Sequence, residues 1–257
     1  MICHFGTFVI NLKQDKDRWE KIKNNFEGTN IKLNRFDAIY GSNIKHQNRK
    51  NTSTICWYAC PYAVLGCGLS HITLIQQINR ENFYKYALIL EDDAIPLYKD
   101  IKKKINDTII QINNVDKNWD MIKLYCHGLC DYKNNTIKLP KYVHTSTAAY
   151  LVSKKGMKKI SNMKLKWHID VQYAWSKLII YKSHIPMFTT TEEGSHTSKN
   201  NIFTKKLFNF KINKNSHPLY YYLGINVIKI PIINYELNYY KIIIIVTLCI
   251  IIMFLCK

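Results

Sequence analysis

Three consecutive carboxylates, Glu91-Asp92-Asp93, are the residues of this chain best suited to chemistry. They directly follow Tyr86-Ala87-Leu88-Ile89-Leu90, a continuous apolar run that predicts a strand buried on both faces. Neighbouring carboxylates repel one another, and limited solvent access at a strand end increases this cost. A divalent cation with oxygen ligands, such as Mn2+ or Mg2+, would remove the cost and bridge to a diphosphate. The alternative is an acidic turn that caps the next helix.

A second candidate segment is Gly66-Cys67-Gly68-Leu69-Ser70-His71. We predict a tight turn here, with Ser70 as the N-cap of the helix that follows. Free backbone N–H groups at such a helix start would bind phosphate or sugar oxygens, so Gly68, Ser70 and His71 are candidate ligand contacts. An ordinary turn with a serine cap explains the segment equally well.

Strand and helix signals alternate around these segments. Besides the run before the acids, apolar stretches predict strands over Phe5 to Leu12, Ile31 to Ile39, Met121 to Tyr125 and Ala148 to Val152. Apolar stripes at helical spacing predict helices from Arg18 to about Phe26, after Ser70, over Ile101 to Ile112 and over Lys154 to Met163. This alternation predicts an α/β fold with a mainly parallel central sheet. Ligands of such sheets bind beyond the carboxyl ends of the strands, where the acids lie.

Length and charge limit the classes of function. A chain of 257 residues holds one substantial domain and a short appendage. Lys and Arg number 37 against 18 acids, and the net charge of +19 would suit nucleic acid or an anionic membrane. The charge is spread along the chain, however, and Lys, Asn, Ile and Tyr are abundant throughout, as an AT-rich coding sequence would produce. We therefore predict no specific nucleic-acid partner.

The cysteines and the first residues indicate the compartment. Two of the cysteine pairs have a C-x3-C spacing, Cys56/Cys60 and Cys126/Cys130. Zinc sites generally show tighter, repeated pairs, so we expect unlinked thiols. The chain start has no basic segment followed by an apolar one, so we expect no secretory signal and a reduced, cytosolic setting.

The last residues predict a membrane anchor. An apolar run extends from Ile242 to Cys256 between two lysines, and as a helix it spans roughly 22 Å, short of a ~30 Å hydrocarbon core. Snorkelling lysines and the interfacial pair Tyr239-Tyr240 close part of that gap. We predict a single-pass C-terminal anchor at 241–257 after a basic, aromatic connector at 201–240, with a buried core helix as the alternative. Basic residues mostly precede the anchor, which places the bulk of the protein on the cytosolic side.

Seven segments occur in a characteristic order along the chain. They are Phe8-Val9-Ile10-Asn11-Leu12, Asp17-Arg18-Trp19, Arg35 to Gly41, Gly66 to His71, Leu90 to Ala94, Trp119 to Leu124 and Ala148 to Gly156. In this order they resemble the family 25 glycosyltransferases, which are the bacterial lipopolysaccharide glycosyltransferases and the collagen galactosyltransferases. The resemblance covers roughly residues 5 to 200. It implies a GT-A-like nucleotide-sugar domain at 1–200, a divalent metal and an inverting transfer, often of galactose from UDP-galactose.

The resemblance also implies a set of metal ligands. Asp93 matches the last acid of the family's carboxylate motif and Glu91 fills its first place, so both are candidate ligands of Mn2+ or Mg2+. Asp92 between them would hold ribose or metal. His196 is a further candidate ligand, because GT-A enzymes often recruit a late histidine, and the alternative is a solvated loop histidine.

Three more residues take candidate roles from the resemblance. Asn11 and Arg18 would contact the donor nucleotide, although a first-turn arginine could simply be solvated. Asp170, in Trp167-His168-Ile169-Asp170, resembles the family's later acidic segment and is the candidate general base. The alternative for Asp170 is an N-cap of the amphipathic helix that follows.

Together these features predict a membrane-anchored, metal-dependent glycosyltransferase that moves a hexose from a UDP-sugar to a glycan or protein acceptor, as in lipopolysaccharide biosynthesis. Two alternatives stay open. A membrane-tethered protein that binds polyanions without catalysis would keep its salt-sensitive binding after Asp93→Ala. A degenerate glycosyltransferase that serves as an interaction module would fold but fail to bind UDP-sugars.

Overall fold

The computed structural model describes residues 4–44, 46–128, 138–139, 144–191 and, for the backbone, 226–230 and 235–238. His196, the predicted anchor at 241–257 and most of the predicted connector lie outside these ranges. Within them, no helix combines the length and the apolar character needed to cross a bilayer.

Helices and strands alternate along most of the described chain. The helices are α1 Lys16–Asn25, α2 Thr54–Ala59, α3 Tyr62–Glu81, α4 Ile101–Val115, α5 Lys154–Ser161 and α6 Ile169–Trp175, with short 3-10 helices at Gly41–Asn43 and His46–Asn51. The strands are β1 Phe5–Asn11, β2 Asn34–Asp37, β3 Tyr86–Glu91, β4 Ala94–Pro96, β5 Met121–Lys123, β6 His127–Gly128, β7 His144–Thr145, β8 Ala149–Ser153, β9 Ile180–Lys182, β10 Phe188–Thr190, β11 Asn226–Ile230 and β12 Tyr235–Asn238.

Six of these strands form the central sheet, in the order β2-β1-β3-β8-β5-β9. Strand β1 pairs in parallel with β2 and β3, and β5 pairs in parallel with β9. Strand β8 is antiparallel to both of its neighbours, β3 and β5. Five of the six strands therefore run in one direction, which confirms the predicted α/β fold with a mainly parallel sheet. The carboxyl ends of β1, β3 and β5 share one edge of the sheet with the amino end of β8.

Strand β3 is buried on both faces, as its apolar run predicted. Ala87 and Ile89 belong to a core cluster with the apolar side chains of α3, whereas Leu88 and Leu90 belong to a second cluster with the isoleucines of α4. Successive strand side chains point to opposite faces, so α3 and α4 cover opposite sides of the sheet. The end of β3 is thereby fixed from both sides.

The predicted turn at Gly66–His71 is wrong, because this segment lies well inside α3, which begins at Tyr62. Ser70 is therefore not an N-cap. Its buried hydroxyl donates a hydrogen bond to the Gly66 carbonyl (2.6 Å) and accepts one from the Ile39 backbone N–H (2.8 Å). Backbone N–H groups inside a helix are already bonded within it, so they are not free to bind phosphate.

The two glycines of this segment allow close packing of α3. A Cβ added to Gly66 would lie 2.7 Å from the Ile39 carbonyl oxygen, and one added to Gly68 would collide with the Leu165 side chain. Two glycines close together in a sequence are typical of a turn. In α3, however, the absence of a side chain at Gly66 and Gly68 lets the helix approach its neighbours closely.

The cysteines only partly follow the prediction of unlinked thiols. Cys56, Cys60 and Cys67 are not disulfide-bonded, as predicted. Cys126 forms a disulfide bond, so the prediction is wrong there, and its partner lies outside the described residues.

The packing of α3 predicts the effect of Gly66→Ala. Helix propensity alone would stabilise the protein by about 1 kcal/mol. Because the new methyl group would collide with the backbone at Ile39 and Gly41, we expect the free energy of unfolding in urea to fall by about 1–3 kcal/mol. Gln111→Ala on the exposed face of α4 is the control and should change it by no more than about 0.5 kcal/mol. A stabilised Gly66→Ala variant would contradict the packing role.

Candidate active site

The candidate site lies at the sheet edge where β1, β3 and β5 end and β8 begins. Strand register brings these ends together, since Ile10 of β1 is paired with Glu91, and Leu90 of β3 is paired with Ala149 of β8. Lys123, the last residue of β5, ends at the same edge. The topology thus gathers polar residues that are far apart in the sequence.

The acidic triplet is a strand end and not a helix cap. Glu91 is the last residue of β3, and the chain then turns into the short strand β4. Helix α4 begins only at Ile101, with Asp100 as its N-cap residue. The capping alternative for Glu91–Asp93 is therefore wrong.

Asp92 is held by two side chains of the first βα unit. Asn11 donates a hydrogen bond to its Oδ2 atom (2.6 Å), and the Arg18 guanidinium forms an ion pair with its Oδ1 atom (2.6 Å). Burial raises the pKa of Asp92, and the contacts with Asn11 and Arg18 oppose this effect. The alternative of a merely solvated Arg18 is wrong, while contact of Asn11, Arg18 or Asp92 with a nucleotide stays a prediction.

Glu91 is held in its ionised form by neighbours from α3 and from the segment before β8. Thr147 donates a hydrogen bond to the Oε1 atom of Glu91 (2.6 Å), and Nε2 of the fully buried His71 lies 3.3 Å from the same oxygen. Nδ1 of His71 lies 2.9 Å from the Tyr150 hydroxyl. Burial acts to raise the pKa of Glu91, but the hydrogen bonds from His71 and Thr147 outweigh it, so the pKa is lowered.

Asp93 has the opposite environment. Burial, with repulsion from Glu91 and Asp92, raises the pKa of Asp93 to about 7. Its Oδ1 atom is buried and has no hydrogen-bond partner among the described residues. A buried acceptor without a donor, surrounded by other carboxylates, fits a hard cation, because such ions take oxygen ligands and offset the charge.

Asp170 lies in the first turn of α6, whose N-cap residue is His168, so the N-cap alternative for Asp170 is wrong. Its Oδ2 atom accepts a hydrogen bond from the Ser146 backbone N–H (3.2 Å), and Oδ1 accepts one from Val171 (2.8 Å). These bonds fix the direction of the carboxylate.

Lys123 holds the segment that contacts both Asp170 and Glu91. Its buried ammonium donates hydrogen bonds to the carbonyl oxygens of Thr145 (3.3 Å) and Ser146. Ser146 has a φ of 78°, which a residue with a side chain rarely adopts without support. Burial lowers the pKa of Lys123 to about 8, although Asp170 and Glu91 act to raise it. Lys123 thus stabilises the strained backbone at Ser146. The Ser146 N–H donates a hydrogen bond to Asp170, and the hydroxyl of the next residue, Thr147, donates one to Glu91.

Sequence reasoning missed three members of the site, Lys123, Thr147 and Tyr150. The sequence does indicate a special role for Lys123, because this charged residue interrupts the apolar run Met121-Ile122-Lys123-Leu124 of a buried strand. Thr147 lies just before β8, and Tyr150 is the second residue of that strand. Only the antiparallel pairing of β8 with β3 places both residues at the end of β3 where Glu91 lies.

The predicted site residues divide into three groups. Burial raises the pKa of the Cys67 thiol, and the charges of Glu91, Asp170 and Asp93 raise it further, so all three carboxylates act on this side chain. Residues that the structure brings together are Asn11, Arg18, His71, Glu91, Asp92, Asp93 and Asp170. Gly68 and Ser70 serve the packing of α3, and His196 lies outside the described residues.

Comparison with known proteins gives a family match. The profile described as "Glycosyltransferase family 25 (LPS biosynthesis protein)" matches residues 4–175. Procollagen galactosyltransferase 1-A of Xenopus laevis is 25% identical over 170 residues, which cover 60% of this chain and 28% of that protein. A Haemophilus influenzae protein with a provisional glycosyltransferase name is 29% identical over 176 residues, which cover 64% of this chain and 59% of that protein. The chain therefore spans less than a third of the length of the collagen enzyme.

Among solved structures, a glycosyltransferase involved in glycosylation of the major capsid of PBCV-1 is similar at a TM-score of 0.35 and 12% sequence identity. The match covers 62% of this chain and 63% of that chain. A likeness this distant defines neither the fold nor the function.

The environment of Asp93 predicts a pH dependence of stability in the presence of a chelator. Its pKa in the folded protein is about 7 and its ordinary value is 3.8, so the folded state binds more protons than the unfolded state between these values. The free energy of unfolding should therefore fall as pH rises through this window. Asp93→Asn should reduce that fall by roughly 2 kcal/mol between pH 5 and pH 8 in urea titrations. Asp107→Asn on the exposed face of α4 should keep the wild-type slope, and an equal slope in Asp93→Asn would contradict the assignment.

Proposed function

Because the chain belongs to glycosyltransferase family 25, we propose that it transfers a hexose from a UDP-sugar to a hydroxyl group of a glycan or protein acceptor. The observation that carries this proposal is the buried Asp93 carboxylate, whose Oδ1 atom has no hydrogen-bond partner among the described residues, at the sheet edge where α/β proteins bind ligands. Galactose is the proposed hexose, because relatives in this family carry the name galactosyltransferase. The sheet, parallel except for β8, supports a domain of the GT-A type.

Asp93 and Glu91 are the residues that would hold Mn2+ or Mg2+, with His196 as a further proposed ligand. The Oδ1 atom of Asp93 has no hydrogen-bond partner among the described residues, and the carboxylates of Glu91 and Asp92 repel its negative charge. Glu91 is ionised, and its side chain is 30% exposed. The ion supplies positive charge that offsets the charge of the departing nucleotide diphosphate.

Asn11, Arg18 and Asp92 form one connected unit beside the proposed ion. The Arg18 side chain is 27% exposed, so it can reach a bound nucleotide while it stays paired with Asp92. We propose that this unit orients the ribose and diphosphate of the donor, because a guanidinium fixed by a carboxylate loses little freedom when it binds phosphate.

Asp170 is the proposed general base. The acceptor oxygen attacks the anomeric carbon as the bond from that carbon to the phosphate oxygen breaks, and the hydroxyl proton passes to the Asp170 carboxylate. This single displacement inverts the configuration at the anomeric carbon. Lys123 supports the step indirectly, because it holds the Ser146 backbone whose N–H fixes the Asp170 carboxylate.

Membrane attachment through 241–257, with the catalytic domain on the cytosolic side, is proposed from the sequence alone. The apolar run from Ile242 to Cys256 supports it. Attachment of this kind would place the acceptor at or near a membrane surface.

UDP release from a panel of UDP-sugars, measured on the full chain in detergent, tests the catalytic proposal. We expect activity to be lost with EDTA and restored by Mn2+. Asp170→Asn should lower kcat by about 10²- to 10⁴-fold, since general-base catalysis contributes that much, and should leave UDP binding unchanged. Asp107→Asn is the matched control and should retain full activity.

Two outcomes would contradict this proposal. Activity that is unaffected by chelation would exclude the metal at Asp93. A folded protein that binds no UDP-sugar with Mn2+ present would indicate the degenerate glycosyltransferase instead.

A further inference from the structure

Cys67, His71 and Glu91 form a second cluster of metal-ligating side chains beside Asp93. Cys67 and His71 are four residues apart on α3 and therefore share one face of the helix. Glu91 reaches the same place from the end of β3. One ligand atom from each residue, the sulfur, an imidazole nitrogen and a carboxylate oxygen, lies within 4.8 Å of the others.

We propose that these three residues bind a borderline-soft divalent cation of the Zn2+ class, at a position different from the hard-cation site at Asp93. Three protein ligands with a fourth position left open are the arrangement of zinc sites that exchange ligands with solvent. Thiolate and imidazole donors favour Zn2+ over Mn2+ or Mg2+.

The surroundings of the three side chains fit metal ligation. A metal-bound histidine generally bonds to an oxygen through its other ring nitrogen, and Nδ1 of His71 lies 2.9 Å from the Tyr150 hydroxyl. In the tautomer with its proton on Nδ1, His71 donates to the Tyr150 hydroxyl, and the unprotonated Nε2, 3.3 Å from Oε1 of Glu91, would bind the cation in place of its hydrogen bond to Glu91. Thr147 hydrogen bonds to the same oxygen (2.6 Å) and fixes the carboxylate.

The local charge also favours a cation at this position. Glu91 brings a negative charge to the cluster itself, and Asp92 and Asp93 follow it directly in the chain. A bound dication would offset these charges. Binding replaces the thiol proton, so that the thiol and Zn2+ give a zinc thiolate and one proton that is released to solvent. The Glu91 side chain is 30% exposed and Cys67 is half-buried, so an ion can reach these two ligands from solvent.

Occupation of this cluster would inhibit the transferase. Glu91 is shared between the two positions, so an ion bound by Cys67 and His71 removes one ligand from the Mn2+ position. This consequence rests on the proposed function, whereas binding of the soft ion does not. Zn2+ should therefore inhibit competitively with Mn2+, and Cys67→Ser should relieve the inhibition.

Titration of the full chain with Co2+, with the disulfide of Cys126 left intact, tests the site without any activity measurement. We expect a thiolate-to-cobalt charge-transfer band in the near ultraviolet that saturates in the wild-type protein and is absent from Cys67→Ser, because serine has no sulfur to donate charge to the ion. Cys60→Ser makes the same chemical change at another cysteine that is not disulfide-bonded and should keep the band. Thermal unfolding of each variant shows whether it has folded.

The variants separate this proposal from the catalytic one. Asp93→Asn should lose transfer activity and retain the cobalt band, whereas Cys67→Ser should lose the band and retain Mn2+-dependent transfer. A band of unchanged affinity in folded Cys67→Ser, or no band in the wild-type protein at saturating Co2+, would overturn the proposed soft-cation site.

Discussion

Repulsion among three carboxylates at the end of a buried strand is the constraint on which the rest of the site depends. The protein resolves it by giving each acid a different environment. Glu91 is stabilised as an anion by His71 and Thr147, and Asp92 forms an ion pair with Arg18 and accepts a hydrogen bond from Asn11. At Asp93, burial and the repulsion from Glu91 and Asp92 outweigh the charge of Arg18, and its pKa rises to about 7. An unbalanced charge of this kind costs folding free energy, and it is retained at functional sites where a ligand supplies the missing partner.

The surrounding fold can be understood as support for these three environments. Helix α3 carries His71 to Glu91, and its glycines allow the helix to pack closely enough to do so. On the other side, the reversed strand β8 begins where β3 ends, so the residues before it reach the acids. Lys123 holds that segment through two carbonyl oxygens and thereby connects the environments of Glu91 and Asp170. The proposed general base Asp170 and the proposed metal ligand Glu91 thus accept hydrogen bonds from two consecutive residues, Ser146 and Thr147.

Local patterns predicted the parts of the structure that depend on local physics. The apolar run of β3 and the isoleucine stripe of α4 were interpreted correctly, because burial on two faces and helical spacing leave direct marks in a sequence. The Gly66–His71 segment was misread, because glycine there serves packing between α3 and Ile39, a contact that no local pattern shows. Thr147 and Tyr150 were missed for the same reason, since the antiparallel pairing of β8 decides their position. Lys123 is visible in the sequence as a charge within an apolar strand, but its contacts with the carbonyl oxygens of Thr145 and Ser146 depend on the fold.

In the proposed site, the acidic end of β3 binds a cation that in turn binds the donor diphosphate. Crystals grown with UDP and Mn2+, with diffraction measured at the manganese absorption edge, test this arrangement most directly. We expect an anomalous peak about 2.0–2.5 Å from an oxygen of Asp93, with a phosphate oxygen of UDP on the same ion. UDP bound with no peak beside Asp93, or a peak confined to a surface far from the β3 end, would contradict it.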